Sequence, residues 1–343
     1  MFSITPLDHS PTDSIQAKID GKTKPPGSLG ALEDLAQQLA LVLGDPIEIM
    51  QPTMLLFAGD HGVADEGVSI APSEVTQLMV QNFIGGGAAI NCFSKQLGWD
   101  LKVIDAGIKT PLVGVTNNDQ YREQRVGPGT RNIAHEAAMS LEQAQQCLEL
   151  GATCAREHLA AGANVIACGE MGIANSTAAA AIAVQLLGCS AADATGRGTG
   201  ITDDQLDNKI RIIEAACKRS SDRDPLHVLQ QVGGFEIGQM TGAMLATAEA
   251  GAIVVVDGFI ATAAALLAQR IAPSSRDFMV FAHCSHERGH RLMLDALNAK
   301  SLLDLQLRLG EGTGAALALP LLQSAAAFYN HMASLDAAQI ELP

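Results

Sequence analysis

Aromatic side chains are scarce in this chain: one Trp, two Tyr and nine Phe make up 3% of its 343 residues. A β-sandwich or an aromatic-lined binding module is therefore a poor fit, and the core has to be built from small and aliphatic side chains. Charge is sparse as well, at 17%, and one-sided, with 22 Lys and Arg against 37 Asp and Glu for a net −15. Such a surface repels phosphodiester backbones, and no basic run offers a local exception, so nucleic acid is not an expected partner. No Cys-x-x-Cys pair occurs among Cys92, Cys147, Cys154, Cys168, Cys189, Cys217 and Cys284. These residues are expected to be free thiols in a reducing cytoplasm. The amino terminus has no basic region followed by an apolar core, so no export signal is expected. The stretch Met171 to Ala192 carries no charge, yet Asn175, Ser176, Thr177 and Gln185 interrupt it and alanine dominates the rest. It predicts a buried small-residue helix and no membrane span. Neither a Walker loop nor a complete G-x-G-x-x-G occurs, which argues against NTPase and dinucleotide-binding functions.

What the chain does have is glycine, 33 residues of it, and a 48% hydrophobic content that supports a large core. Short aliphatic runs recur, each ending in a glycine-bearing or polar loop: Met54–Phe57, Leu101–Ile104, Asn164–Ala167, Ile253–Val256 and Phe278–Phe281. Continuous apolar runs mark strands buried on both faces, which means parallel strands covered by helices. Helical patterns lie among them, such as Ser140–Ala160, Asp203–Ser220, Gly238–Ala250 and Ala261–Ile271. The alternation predicts an α/β fold with a doubly wound parallel sheet over residues 51–300. Its ligand crevice should lie beyond the carboxyl ends of the strands, where all five loops would gather. Residues 1–50 carry an amphipathic helix from Ala31 to Leu43. Residues 301–343 give two helical patterns on either side of Gly310-Glu311-Gly312-Thr313-Gly314. Both termini are thus expected to be helical and to form a small subdomain together.

Several loops carry candidate chemistry. Gly169-Glu170-Met171-Gly172-Ile173-Ala174-Asn175-Ser176-Thr177 follows a buried strand and opens an alanine-rich helix. Free N–H groups and the positive helix end converge there, with Asn175, Ser176 and Thr177 as further donors, so the segment suits a phosphate. An N-capped tight turn explains the same residues equally well. Arg197 and Gly198, with Lys209 on the next helix, form a second anion candidate or else a flexible loop before a capped helix. Asp60-His61 at a strand end is an acid–base pair or a structural one. The segment His283 to His290 resembles metal spacing only superficially, because it starts at a strand end and contains Gly289; Ser285 and the loop N–H groups are better placed as ligand donors. Glu311 stands between Gly310 and Gly312. It is either a solvated first-turn charge or, if a planar ligand covers it and desolvates it, a competent base.

Six ordered segments together resemble one family, nicotinate-nucleotide–dimethylbenzimidazole phosphoribosyltransferase. They are Lys24-Pro25-Pro26-Gly27-Ser28-Leu29-Gly30, Ala58-Gly59-Asp60-His61-Gly62-Val63, Gly169 to Asn175, Gly233-Gly234-Phe235-Glu236-Ile237, Val256-Asp257-Gly258-Phe259 and Arg308 to Leu317. The resemblance implies a Rossmann-like sheet, a homodimer, no metal and no cofactor. It implies transfer of 5-phosphoribose from nicotinate mononucleotide to 5,6-dimethylbenzimidazole, for the nucleotide loop of cobalamin. By the same resemblance Glu311 would be the general base and Glu170 would belong to the catalytic site. Gly172, Asn175, Lys209 and Ser285 would surround phosphate and ribose, and Asp257 would lie among the substrate contacts. The base pocket would be lined by Ser69 to Met79, where Ala71 and Met79 are apolar. That lining suits a methylated benzimidazole and equally admits adenine, benzimidazole or a phenol. A different N-ribosyl transferase or nucleosidase, or a nucleotide-binding protein without chemistry, would use the same cradle. The lack of credible metal spacing predicts activity that survives exhaustive chelation; a loss restored by zinc would revive the His283–His290 site.

Overall fold

The computed structural model describes residues 2–339 apart from Thr199 and His286. The aliphatic runs extend as β1 (Thr53–Gly59), β2 (Asp100–Gly107), β4 (Val165–Met171), β5 (Ile253–Val256) and β6 (Met279–His283). Two three-residue strands join them, β3 (Tyr121–Glu123) and β7 (Ser301–Leu303). All pair in parallel in one seven-stranded sheet of order β3-β2-β1-β4-β5-β6-β7. This is the expected doubly wound α/β architecture. The chain winds outward from β1 through β2 to β3, then returns and winds the other way from β4. The reversal between β1 and β4 opens a crevice at their carboxyl ends.

Alternate residues of the central strands feed two cores, because successive side chains point to opposite faces. Leu55, Phe57, Ile166, Cys168, Val254, Val256 and Phe281 face one side. There they meet the helices Leu141–Ala160, Asn175–Leu187, Phe235–Glu249 and Phe259–Ile271. Met54, Leu56, Val165, Ala167, Ile253, Val255 and Val280 face the other side. The helices Thr12–Asp20, Ala31–Leu43, Glu74–Ile84, Ala89–Leu97 and Thr313–His331 cover it. The terminal helices thus pack on each other and also form one layer of the sheet's covering. Asn330 ties them by exchanging hydrogen bonds with the backbone of Ile47, at 3.0 and 2.8 Å.

Expectation and structure differ at the first helical pattern of the carboxyl-terminal segment. Residues 301–303 are no helix: Ser301 and Leu303 pair with Phe281 and His283 as the last strand. At three residues, β3 and β7 are too short to show a periodicity. The uncharged stretch from Met171 is broken into strand end, turn and the 13-residue helix Asn175–Leu187. Among the described residues no helix is long and apolar enough to cross a membrane. All seven cysteines are free; Cys147, Cys154 and Cys168 are buried and Cys92 is exposed.

The scarcity of large side chains has a direct structural use. Helices Leu141–Ala160 and Phe235–Glu249 lie in backbone contact: a Cβ on Gly242 would overlap the carbonyl of Leu148, and one on Gly151 that of Gln239. Neither obstacle is a flexible side chain, so the helices themselves must part. Gly242→Ala is expected to cost about 2–3 kcal/mol, checked by denaturant unfolding. A loss below about 0.5 kcal/mol would show that the pair can separate freely.

Candidate active site

A cavity of about 320 Å³ occupies the crevice at the winding reversal, a size suited to a nucleotide-like ligand. Its walls come from the loops after β4, β5 and β6, the segment Val68–Met79 after β1, and Arg308–Glu311 ahead of the last long helix. Of the five strand-end loops expected to gather, three do. The turns directly after β1 and β2 stand aside, because the crevice opens on the β4 side of the reversal.

At one end stands an apolar slot of Val68, Ile70, Ala71, Val75, Met79 and Met171. Thr76 ties this segment to the β4 loop by accepting the N–H of Ile173 at 3.1 Å. At the other end Lys209 is buried at 1% exposure. Its Nζ donates to Ser176 Oγ at 2.8 Å, and Gly198 packs over both. Burial lowers the Lys209 amine to about 8, against the opposing pull of Glu287. Ser176 is the second residue of helix Asn175–Leu187, so an anion here would meet a cation, a hydroxyl and a positive helix end together. Arg197 and Ser285 also line the cavity, with the Arg197 guanidinium paired to Asp203.

Two carboxyl groups also line the cavity. Glu170 is 7% exposed and Glu311 5%. Asn175 Nδ2 donates to Glu170 Oε2, and Gly310 lies so close to Oε1 that a Cβ there would overlap it. Burial is the main cause that raises Glu170 to about 8, with Asp257, Glu236 and Glu311 adding to it and Asn175 opposing. Burial likewise raises Glu311 to about 7, opposed by the Ile90 N–H and reinforced by Asp257. Among the described residues Glu311 Oε2 has no hydrogen-bond partner. The backbone supporting it takes a left-handed turn, with φ of 82°, 65° and 84° at Gly310, Glu311 and Gly312. A Cβ on Gly169 would come within 2.5 Å of the Glu311 carbonyl, so glycine is needed beneath the bend.

Most of the sequence candidates line this cavity: Glu170, Gly172, Asn175, Ser176, Arg197, Gly198, Lys209, Asp257, Ser285, Ala71, Met79, Gly310 and Glu311. Three do not. Thr177 is fully buried, because one residue beyond Ser176 the helix has turned it towards the core. Gly312 sits behind the wall against Met54 and Gly169. Asp60 accepts the N–H of Lys109 at 2.7 Å away from the cavity. Its neighbour His61 pairs with Glu236 at 2.6 Å, so Asp60-His61 is no acid–base pair facing a ligand. In the His283–His290 segment, His290 is engaged at both nitrogens, by Ser285 N–H at 2.8 Å and Thr262 Oγ1 at 2.9 Å. Burial lowers it to about 3. His286, and Thr199 of the glycine-rich loop, lie outside the described residues. Among wall residues not singled out beforehand are Glu287, Leu309 and Arg308. Each stands within a segment already noted, and only the folded walls single them out.

An α/β sheet whose strand-end crevice holds a buried lysine at a helix end, apolar wall residues and two carboxyls raised towards neutrality suits an enzyme acting on a nucleotide-like ligand. A sequence-family model described as "Phosphoribosyltransferase" matches residues 4–340. Nicotinate-nucleotide–dimethylbenzimidazole phosphoribosyltransferase of Shewanella sediminis is 54% identical over 345 residues, with both chains covered in full. The protein of the same name from Shewanella oneidensis is 55% identical over 347 residues, covering 99% of this chain and 97% of its own. The crystal structure of CobT from Thermus thermophilus superposes with a TM-score of 0.93 at 42% identity, covering 97% of this chain and 99% of that one. The chain belongs to the nicotinate-nucleotide–dimethylbenzimidazole phosphoribosyltransferase family.

The raised Glu170 has a consequence for stability. Between about 4.5 and about 8 the folded chain keeps a proton that the unfolded chain releases. The group's contribution is therefore complete below about 4.5 and is lost as pH rises through 8. Glu170→Gln, permanently neutral, should melt about 3 °C or more above the parent at pH 8.5 and much closer to it at pH 5. An equal difference at both pH values in thermal melts would remove the assignment.

Proposed function

We propose that the cavity transfers 5-phosphoribose from nicotinate mononucleotide to 5,6-dimethylbenzimidazole, giving nicotinate and α-ribazole 5′-phosphate for the nucleotide loop of cobalamin. The observation that carries this reading is the buried Glu311 carboxyl with its unpartnered Oε2 and a proton affinity near neutrality. The sugar phosphate would rest on Lys209, Ser176 and the positive end of helix Asn175–Leu187, with Arg197, Gly198 and Ser285 around it. The benzimidazole would enter the slot past Ala71 and Met79. The names of the relatives support the same substrate pair.

The chemistry follows from charge. Nicotinate leaves from a pyridinium, so the electron pair of the breaking C–N bond neutralises the ring nitrogen and no acid is needed. Positive charge builds at the anomeric carbon, where an ionised Glu170 would stabilise it. A substrate cation beside Glu170 and Glu311 favours their ionised forms over the neutral ones of the empty site. The benzimidazole nitrogen forms the new bond on the opposite face, inverting the carbon. The ring then becomes cationic, and its other nitrogen gives its proton to Glu311. No pyrophosphate is displaced, so the donor chemistry calls for no metal and no cofactor.

We further propose a homodimer working in the cytoplasm. The free thiols agree with a reducing compartment. Ile70, Leu78 and Leu309, all more than half exposed, supply apolar surface for a partner copy. Glu311→Gln is expected to lower kcat by about a hundredfold or more while leaving nicotinate mononucleotide affinity within a few fold. The assay is nicotinate release with and without dimethylbenzimidazole. Full turnover by the variant would end the base assignment, and equal release without the base would mean hydrolysis.

A further inference from the structure

We infer that Asp257 is the positioning residue for Glu311, holding the left-handed Gly310-Glu311-Gly312 bend by capping the helix behind it. The inference rests on Glu311 being the base. Asp257 follows β5 and is 3% exposed. Its Oδ1 accepts the N–H of Ala315 at 2.8 Å, and the neighbouring amides of Gly314 and Gly312 favour its charged form. These are the free N–H groups at the start of helix Thr313–His331. The helix's own N-cap is Gly312, which has no side chain to offer them. The cap is supplied from a neighbouring strand instead, and it fixes where the helix begins.

That origin determines where Glu311 stands. A left-handed backbone is unfavourable for a residue with a Cβ and persists only where its surroundings enforce it. Here Gly169 lies beneath the Glu311 carbonyl, Thr313 Oγ1 donates to the Gly310 carbonyl at 2.8 Å, and Asp257 grips the amides that follow. Among these three, only Asp257 is ionisable; burial raises its proton affinity, and His283 and the helix amides oppose that rise. The ionisable groups around Glu311 are Asp257 from β5, Glu170 from β4, and His283 from β6, whose Nε2 lies 3.8 Å from Asp257 Oδ1. Glu236, from the helix Phe235–Glu249, acts on Glu170. The helix Ala89–Leu97 contributes the Ile90 N–H. Asp257 disfavours a second negative charge at Glu311, so the same carboxylate both places the base and strengthens its hold on a proton.

Asp257→Asn keeps an acceptor for Ala315 N–H and removes the charge. Its kcat should fall about tenfold to a hundredfold, with KM for nicotinate mononucleotide within about threefold because the phosphate cradle is untouched. The acid limb of kcat/KM for dimethylbenzimidazole should move to lower pH by about half a unit or more. Asp257→Ala should lose more activity; if thermal melting shows it unfolded, the Asn variant decides alone. Unchanged kcat and an unmoved acid limb in Asp257→Asn would overturn the inference. Glu311→Gln assayed in parallel separates the two ideas. An active Gln variant removes the base reading itself, whereas an inactive one beside a normal Asp257→Asn removes only the positioning role.

Discussion

Burial of the sheet on both faces is the constraint on which the rest of the molecule depends. Parallel strands with helices on either side leave only the strand ends open, so chemistry is confined to one edge. The fully buried β1, β5 and β6 bring loops into a crevice walled by packed backbone. A carboxyl placed there cannot keep its ordinary water shell. Glu170 and Glu311 rise towards neutrality for that reason, and Lys209 falls towards it from the other direction. Tunable proton affinity at the site is therefore a product of the covering layers.

Small residues make that covering tight. Gly151 and Gly242 let two helices touch, and Gly169, Gly310 and Gly312 let the Glu311 bend lie directly on β4. A larger side chain at Gly169 or Gly310 would push the Glu311 bend away from β4. The terminal helices contribute as a layer over the second face. The last of them carries the catalytic candidate at its amino end, so closing the core and presenting Glu311 are one structural event.

The net charge of −15 has little bearing on how an anionic nucleotide is held. The proposed recognition is local: a helix end, Ser176 and one desolvated lysine. Their fields act over a few ångströms with little screening, while the acidic exterior acts through solvent and governs solubility. This also explains why a strongly acidic enzyme tolerates a substrate of the same sign.

Much of the fold was legible in the chain because hydrophobic runs bounded by glycine report burial directly. The helix Ala31–Leu43 and the strand Ile253–Val256 have the expected bounds. Strands β3 and β7 escaped because three residues carry no period. Most candidate residues were legible as well, since glycine-flanked Glu311 and the Gly169–Ser176 strand-to-helix segment are unusual local patterns. Sequence alone could not separate Ser176 from Thr177, or tell that Asp60-His61 faces Glu236 and Lys109 and leaves the ligand crevice to others. Those distinctions depend on helix rotation and on which side of the winding reversal a loop falls. The amino-acid sequence by itself determined the five longer strands, the loops at their ends and the candidate reactive groups, because those follow from local pattern. Tertiary structure decided which of them share one cavity, how far each proton affinity moves, and that Asp257 stands behind Glu311. Burial and neighbouring charge come into being only when distant segments pack together.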